Sequence, residues 1–296
     1  MIARTKDIVF EPIKHTYTHV ETGLLLRSVS RVYREFIEPF DAEKISWFVA
    51  QKELRLEISP TWQKGDPQPS DQAILERQKI VKAQWEKKRD DAGGYGTTIH
   101  DICEKIMLGQ EVDPVYGKLV VALNGLFGHY HKTFPEFIAY SMKWGVAGTP
   151  DLPLVRQRSD KSIIDIDDFK TNVEKGIVFD STSLDKKSGK LKHYNRFMLD
   201  PVSHLEDCNY NNYALAESIY GVLLEDMFPT HKIGRISLTF VEEHILPGLN
   251  DYTITTIPMP YLKLEAIAIL NAFNKKYPFK SEKKIKVVET SGTEDF

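Results

Sequence analysis

The chain has 296 residues, 42% of them apolar and 11% aromatic, which is ample for a sizeable core and points to a folded protein rather than a disordered one. Its 39 Lys and Arg against 42 Asp and Glu give a net charge of −3, so overall basicity does not announce a nucleic-acid partner, and any such binding must rest on local basic surface. Two cysteines, Cys103 and Cys208, cannot build a disulfide framework or a four-thiolate zinc or iron–sulfur site, and both are expected to be buried apolar residues.

The opening Met1-Ile2-Ala3-Arg4-Thr5-Lys6-Asp7 lacks the apolar block of a secretory signal, and no later run approaches the roughly 20 apolar residues of a membrane helix. A soluble, cytoplasmic protein with no membrane partner is expected. Alternation over residues 15–20, a turn at Glu21-Thr22-Gly23 and the apolar Leu24-Leu25-Leu26 predict a hairpin. Ser28 or Ser30 can cap a helix to about residue 38, and a second helix is predicted over 42–57 with Ile45, Phe48, Val49 and Leu56 on one face. After a Pro- and Gly-rich connection at 59–71, Ser70 or Asp71 caps a polar helix towards Asp91, which Gly93, Gly94 and Gly96 are expected to end. Further helices are predicted over 97–108 and within 116–133.

Beyond Phe134 the segments 138–144, 148–155 and 162–170 read as three antiparallel strands. Residues 175–199 read as a mobile basic loop carrying Lys186, Lys187, Lys190, Lys192 and His193. Helix 210–227, strands 236–244 and 252–257, helix 261–277 and a frayed acidic tail from about 289 complete the prediction. The fold class expected is mixed α/β (α+β), one domain with a helical N-terminal part (1–92), a core (93–280) and an acidic tail (287–296).

Within Ser162-Ile163-Ile164-Asp165-Ile166-Asp167-Asp168-Phe169-Lys170, strand alternation puts Asp168 and Lys170 on one face, with Asp165 and Asp167 on the other. Carboxylates crowded this closely repel unless a cation sits among them. Seventeen residues before Asp168, the stretch Gly145-Val146-Ala147-Gly148-Thr149-Pro150-Asp151 places a further carboxylate on the expected neighbouring strand. Asp151, Asp168 and Lys170 would then make a site for a hard cation such as Mg²⁺. In Gly96-Thr97-Thr98-Ile99-His100-Asp101-Ile102-Cys103-Glu104, His100 and Glu104 share a helical face. Taken singly, Asp-x-Lys is also the pattern of a surface ion pair, Asp151 of a turn residue and His100/Glu104 of a solvated pair. Only their conjunction points to chemistry.

In this order the motifs resemble the PD-(D/E)xK nucleases, and among them the RecB-like branch found in bacteriophages and recombination machinery. Pro150-Asp151, 16 residues and Asp168-Phe169-Lys170 match the signature, Gly96-Thr97-Thr98-Ile99-His100 matches the branch's Gly-Thr-x-x-His helix, and Glu104 supplies its acidic residue one turn on. Trp85, Gly23 and Ser28-Val29-Ser30 are similar to phage members. The resemblance implies a restriction-endonuclease-like core, a central mixed sheet flanked by helices, with helical N-terminal additions. It implies that His100, Asp151, Asp168 and the Phe169 carbonyl bind Mg²⁺ or Mn²⁺ beside Glu104, and that Asp151, Asp168 and Lys170 are catalytic. DNA contacts would come from Thr97, Tyr220, Lys187 and Lys190, with further basic surface at 79–89 and 275–286.

The implied activity is DNA phosphodiester hydrolysis, as an exonuclease in phage recombination or DNA processing; the alternative is a catalytically silent DNA-binding or assembly protein of the same fold. The family's Gln-x-x-x-Tyr helix is matched incompletely, with Ala216 in place of Gln before Tyr220; a second frame offers Asn209 before Tyr213, but Tyr220 is preferred because Leu215, Ile219, Val222 and Leu223 then form the apolar stripe. The four cysteines of iron–sulfur relatives are missing, and no Gly-x-x-x-x-Gly-Lys-Ser/Thr supports ATP use. The acidic end Ser291-Gly292-Thr293-Glu294-Asp295-Phe296 is similar to the docking tips of single-strand-binding proteins, which makes a single-strand-binding or recombination protein an expected partner.

Overall fold

A computed structural model describes residues 6–158, 161–171, 179–184, 191–246 and 249–279. Lys187, Lys190 and the acidic tail lie outside the described residues. The chain forms two compact units, one containing residues up to Ile37 together with those from Cys103 onward, the other Glu38–Ile102.

In the larger unit the predicted hairpin forms between β2 (Thr16–His19) and β3 (Leu25–Ser28), Tyr17 pairing with Leu26, and Gly23 takes the left-handed φ of 64° at the turn. An unpredicted strand, β1 (Ile8–Glu11), adds to β2. The Ser28 side chain accepts from the Arg31 amide and starts α1 (Val29–Arg34), which ends earlier than predicted.

The smaller unit holds α2 (Ala42–Ile58) and most of α3 (Asp71–Met107). Two expectations fail here. Ile45, Phe48 and Leu56 are exposed, while Ser46 and Ala50 are buried and Trp47, Val49 and Leu54 pack around Ala50, Ile74 and Val81. Position 46 is a polar contact, not a gap in the stripe, because Gln78 Nε2 donates to Ser46 Oγ at 3.0 Å. The glycines also do not interrupt the helix, since α3 runs through them for 37 residues. Each glycine costs only about 1 kcal/mol relative to Ala and keeps its amide, so without a proline the ladder continues. Thr97 Oγ1 and Thr98 Oγ1 donate back to the carbonyls of Gly93 and Gly94.

From Cys103 the larger unit resumes. A 3₁₀ turn (Pro114–Tyr116) leads into α4 (Gly117–Phe127), followed by β4 (Lys132–Thr133), β5 (Ala139–Ser141), β6 (Val146–Gly148), β7 (Leu152–Arg158) and β8 (Lys161–Lys170). The strand predicted over 148–155 is thus two strands in two different sheets, because Thr149-Pro150-Asp151 breaks the ladder between them. The basic segment predicted as a loop contains a short pair, β9 (Thr182–Leu184) and β10 (Leu191–His193). Then come α5 (Asn209–Met227), β11 (Lys232–Leu246), β12 (Leu249–Met259) and α6 (Lys263–Lys276), close to prediction.

The class is α+β, with two mixed five-stranded sheets, β1-β2-β3-β6-β5 and β12-β11-β8-β7-β4. In the second, β11 runs parallel to β8 and the other pairs are antiparallel. Ile164 and Ile166 of β8 join Leu215, Ile219, Val222 and Leu223 of α5 and Ile269 and Leu270 of α6 in one core. On the opposite face Phe169 meets Phe127 of α4 at 6.2 Å. Among the described residues no helix is long and apolar enough to cross a membrane.

Asp165, on the α4 face, is 2% exposed and fully engaged, accepting from Tyr130 Oη (2.8 Å), Arg156 (2.9 Å) and the Arg235 amide (2.7 Å). Gly234 lies where β11 slips register against β8, and a Cβ there would stand 2.3 Å from the pinned Asp165 carboxylate. Gly234→Ala is therefore expected to destabilise the protein by about 1–3 kcal/mol, read as a lower urea midpoint. An unchanged midpoint would mean that the Asp165 network yields freely.

Candidate active site

Hairpin register builds the site. Leu152 pairs with Asp167, so Asp151, one step further along, stands opposite Asp168 on the same face. The backbone is locked there, since the Phe169 amide donates to Asp151 Oδ2 at 2.9 Å. Strand alternation then brings Lys170 back over Asp168, and the two form an ion pair. The Lys170 ammonium also donates to the Phe169 carbonyl at 3.1 Å and lies 5.2 Å from the centroid of the Tyr213 ring. Three predicted residues and one predicted carbonyl therefore share one place. Asp165 and Asp167 point to the other face as expected, Asp167 accepting from Ser237 Oγ.

Burial dominates the electrostatics. It pushes the Asp168 carboxyl up to about 8, with Lys170 working against the rise and Asp151 adding to it through charge and a hydrogen bond. A bond between two carboxyl groups needs a proton between them, so without a cation this pair is short of positive charge. Burial opposes the charge on Lys170, yet Asp168 and Asp151 outweigh it and hold the ammonium above its ordinary range.

No family model matches the chain, and neither does any curated protein. Inference to function therefore rests on this geometry and on the sequence motifs.

Two further carboxylates, neither anticipated from sequence, belong to the site. Glu217 on α5 is 4% exposed, and its Oε2 is buried without a hydrogen-bond partner. Burial, then the charge of Asp168, raises its carboxyl well above the usual range. Tyr213, Glu217 and Tyr220 follow at i, i+4 and i+7, one face of the helix, and this was the available signal: Glu217 is the only charge among the apolar residues 214–224. Glu136 adopts a left-handed φ of 51°, its amide donates to the Asp151 carbonyl at 2.9 Å, and its carboxylate lies within 4.8 Å of that of Asp151. This region is uncommon for a non-glycine residue.

The donor set fits a hard divalent ion. Asp151 and Asp168 set two carboxyl groups in hydrogen-bond contact beside a single ammonium, and Glu136 brings a further carboxylate within 4.8 Å of Asp151, oxygen donors of the kind a hard divalent ion takes. Cys103 feels the charge of Asp151, but burial in the first place holds its thiol up at about 12, so it offers no thiolate near neutrality.

Of the remaining predicted residues, Glu104 is half-buried near the end of α3 within the larger unit. His100 and Thr97 lie on the same helix in the smaller unit, His100 half-buried and Thr97 exposed. Tyr220 packs over Gly148, where a Cβ would come 2.6 Å from its ring, and its hydroxyl, raised well above the ordinary range by burial, also feels the charges of Glu217, Asp168 and Asp151. The aromatic at the lysine is Tyr213, the residue of the second frame.

Proposed function

We propose that this chain is a divalent-metal-dependent DNA nuclease of the PD-(D/E)xK type, an exonuclease in phage recombination or DNA processing. The observation that carries the reading is the meeting of Asp151, Asp168 and Lys170 at the open end of one hairpin, in a largely buried cluster with more carboxyl groups than positive charge.

Asp151, Asp168 and the Phe169 carbonyl would hold Mg²⁺ or Mn²⁺. When bound, the ion makes hydroxide available near neutral pH and neutralises charge on the reacting phosphate. Lys170 contributes a fixed positive charge that the two aspartates keep protonated across the physiological range, suited to orienting water and to stabilising charge that develops on phosphate oxygen. Asp168 needs its proton displaced before it can act as a ligand, so metal binding and proton release are linked. The reaction adds water across the phosphodiester, leaving a phosphate on one fragment and a hydroxyl on the other.

Incubation with end-labelled linear duplex, single strands and a covalently closed circle, in Mg²⁺ or in EDTA, tests this. Cleavage in Mg²⁺ alone is expected, with the circle surviving if an end is required. Binding of DNA without cleavage in either Mg²⁺ or Mn²⁺ would favour the catalytically silent alternative.

A further inference from the structure

A cleft of about 500 Å³ opens in the larger unit between the β1–β2 hairpin, α1 and the segment entering Asp151. Its mouth carries an aromatic set. Phe10 stacks on Tyr17 with centroids 4.7 Å apart and planes at 26°, and His15 stands edge-on to Phe10 at 5.3 Å. His15 is exposed and Phe10 half-exposed, so a planar group can reach both rings. His15 is held at a left-handed φ of 48°, and the turn before it is tied down by the Ile13 and Lys14 amides donating to the Glu11 carboxylate.

The rest of the lining is mostly polar, Val29 and Gly148 excepted. Arg34 is exposed at the rim, Tyr17 Oη bonds to Thr149 Oγ1 at 3.1 Å, and Glu136 and Tyr220 close the inner end. Continuity with the candidate active site is direct, because Thr149 is two residues from Asp151 and the Glu136 amide holds the Asp151 carbonyl.

We infer that this cleft seats one unpaired nucleotide of a single-stranded DNA end, its base on Phe10 and His15 and its phosphate towards Arg34. The choice of ligand rests on the nuclease reading. The volume suits a small-molecule ligand, in the range of about 300–1,000 Å³, and is far too small for a duplex whose major groove alone is about 12 Å wide. Bases stack on protein aromatics only when released from their partners, so such a seat selects single strands or frayed ends. Glu136 would repel a phosphate but can accept from an exocyclic base amine, which orients the base inward and the phosphate to the arginine at the rim.

The test is anisotropy of a labelled 12-nucleotide single strand and of a blunt duplex of equal length, both in EDTA, so that neither metal nor hydrolysis enters. His15→Ala, which removes an exposed ring, and Phe10→Ala are each expected to weaken single-strand binding about tenfold, by loss of base stacking. Duplex binding should change less than twofold, and Phe10→Trp should retain single-strand affinity, which separates stacking from a folding defect. Wild-type protein with no single-strand affinity, variants that bind like wild type, or equal losses on both DNAs would each overturn the assignment. Mg²⁺-dependent cleavage with unchanged binding in His15→Ala would sink the cleft and leave the nuclease reading. Ring-dependent single-strand binding without any cleavage would do the reverse.

Discussion

Lys170→Ala is expected to lower the rate of DNA cleavage by about a hundred- to a thousandfold, the cost of deleting one pre-positioned positive charge from a largely buried site. The ammonium is held by Asp168, by the Phe169 carbonyl and over the Tyr213 ring, so its position is fixed before substrate arrives. Lys170→Arg should not restore the rate, because a planar fork cannot occupy the point where a compact ammonium touches both a carboxylate and a carbonyl. Affinity for DNA in EDTA should be nearly unchanged, which would place the loss in the chemical step. The fold should also survive, since Asp168 can keep its proton once the neighbouring cation is gone. Full activity in Lys170→Ala would end the proposed mechanism even if the protein cuts DNA.

Much of this site was legible because strand geometry is a rigid rule. Once Asp168 and Lys170 were assigned to a strand and Asp151 to its antiparallel neighbour, their convergence followed from a period of two and a hairpin register. The apolar stripe Leu215, Ile219, Val222 and Leu223 was legible on the same footing, and all four residues are buried. What failed depended on partners that sequence does not specify. α2 carries more than one apolar row, and the row used was chosen by α3, which left Phe48 exposed. Breaks at Gly93, Gly94 and Gly96 were read from a propensity of about 1 kcal/mol each, too weak to stop a helix otherwise free of proline. Glu217 carries no motif of its own and falls inside the incomplete Gln-x-x-x-Tyr pattern, between Ala216 and Tyr220. The tertiary contacts of α5 put Tyr213 at the lysine and Tyr220 on Gly148, a distinction that helical spacing alone does not make.

Asp168→Asn is expected to abolish cleavage yet raise the melting temperature of the metal-free protein, and to do so more at pH 8 than at pH 5. Burial holds the Asp168 carboxyl up at about 8, while in the unfolded chain it ionises near its ordinary 3.8. Where the folded form keeps a proton that the unfolded form has lost, raising the pH favours unfolding. The penalty is absent below about pH 4, grows from there as the pH rises, and is complete once the folded carboxyl has also ionised, above about pH 8. Asparagine has the same shape and no ionisation, so it removes that slope. Glu217, buried with an orphaned oxygen and shifted in the same direction, predicts the same behaviour for Glu217→Gln. For a chain of this size each kcal/mol recovered corresponds to roughly 2–4 °C, so a gain of several degrees at pH 8 should be resolved by thermal unfolding. A divalent ion should separate the two proteins: Mg²⁺ is expected to stabilise the wild type by binding the folded state, and to stabilise Asp168→Asn far less. Equal melting temperatures for both proteins at pH 5 and pH 8 would mean that Asp168 is ionised at little cost without a metal, and the charge deficit on which the proposed cation site rests would be gone.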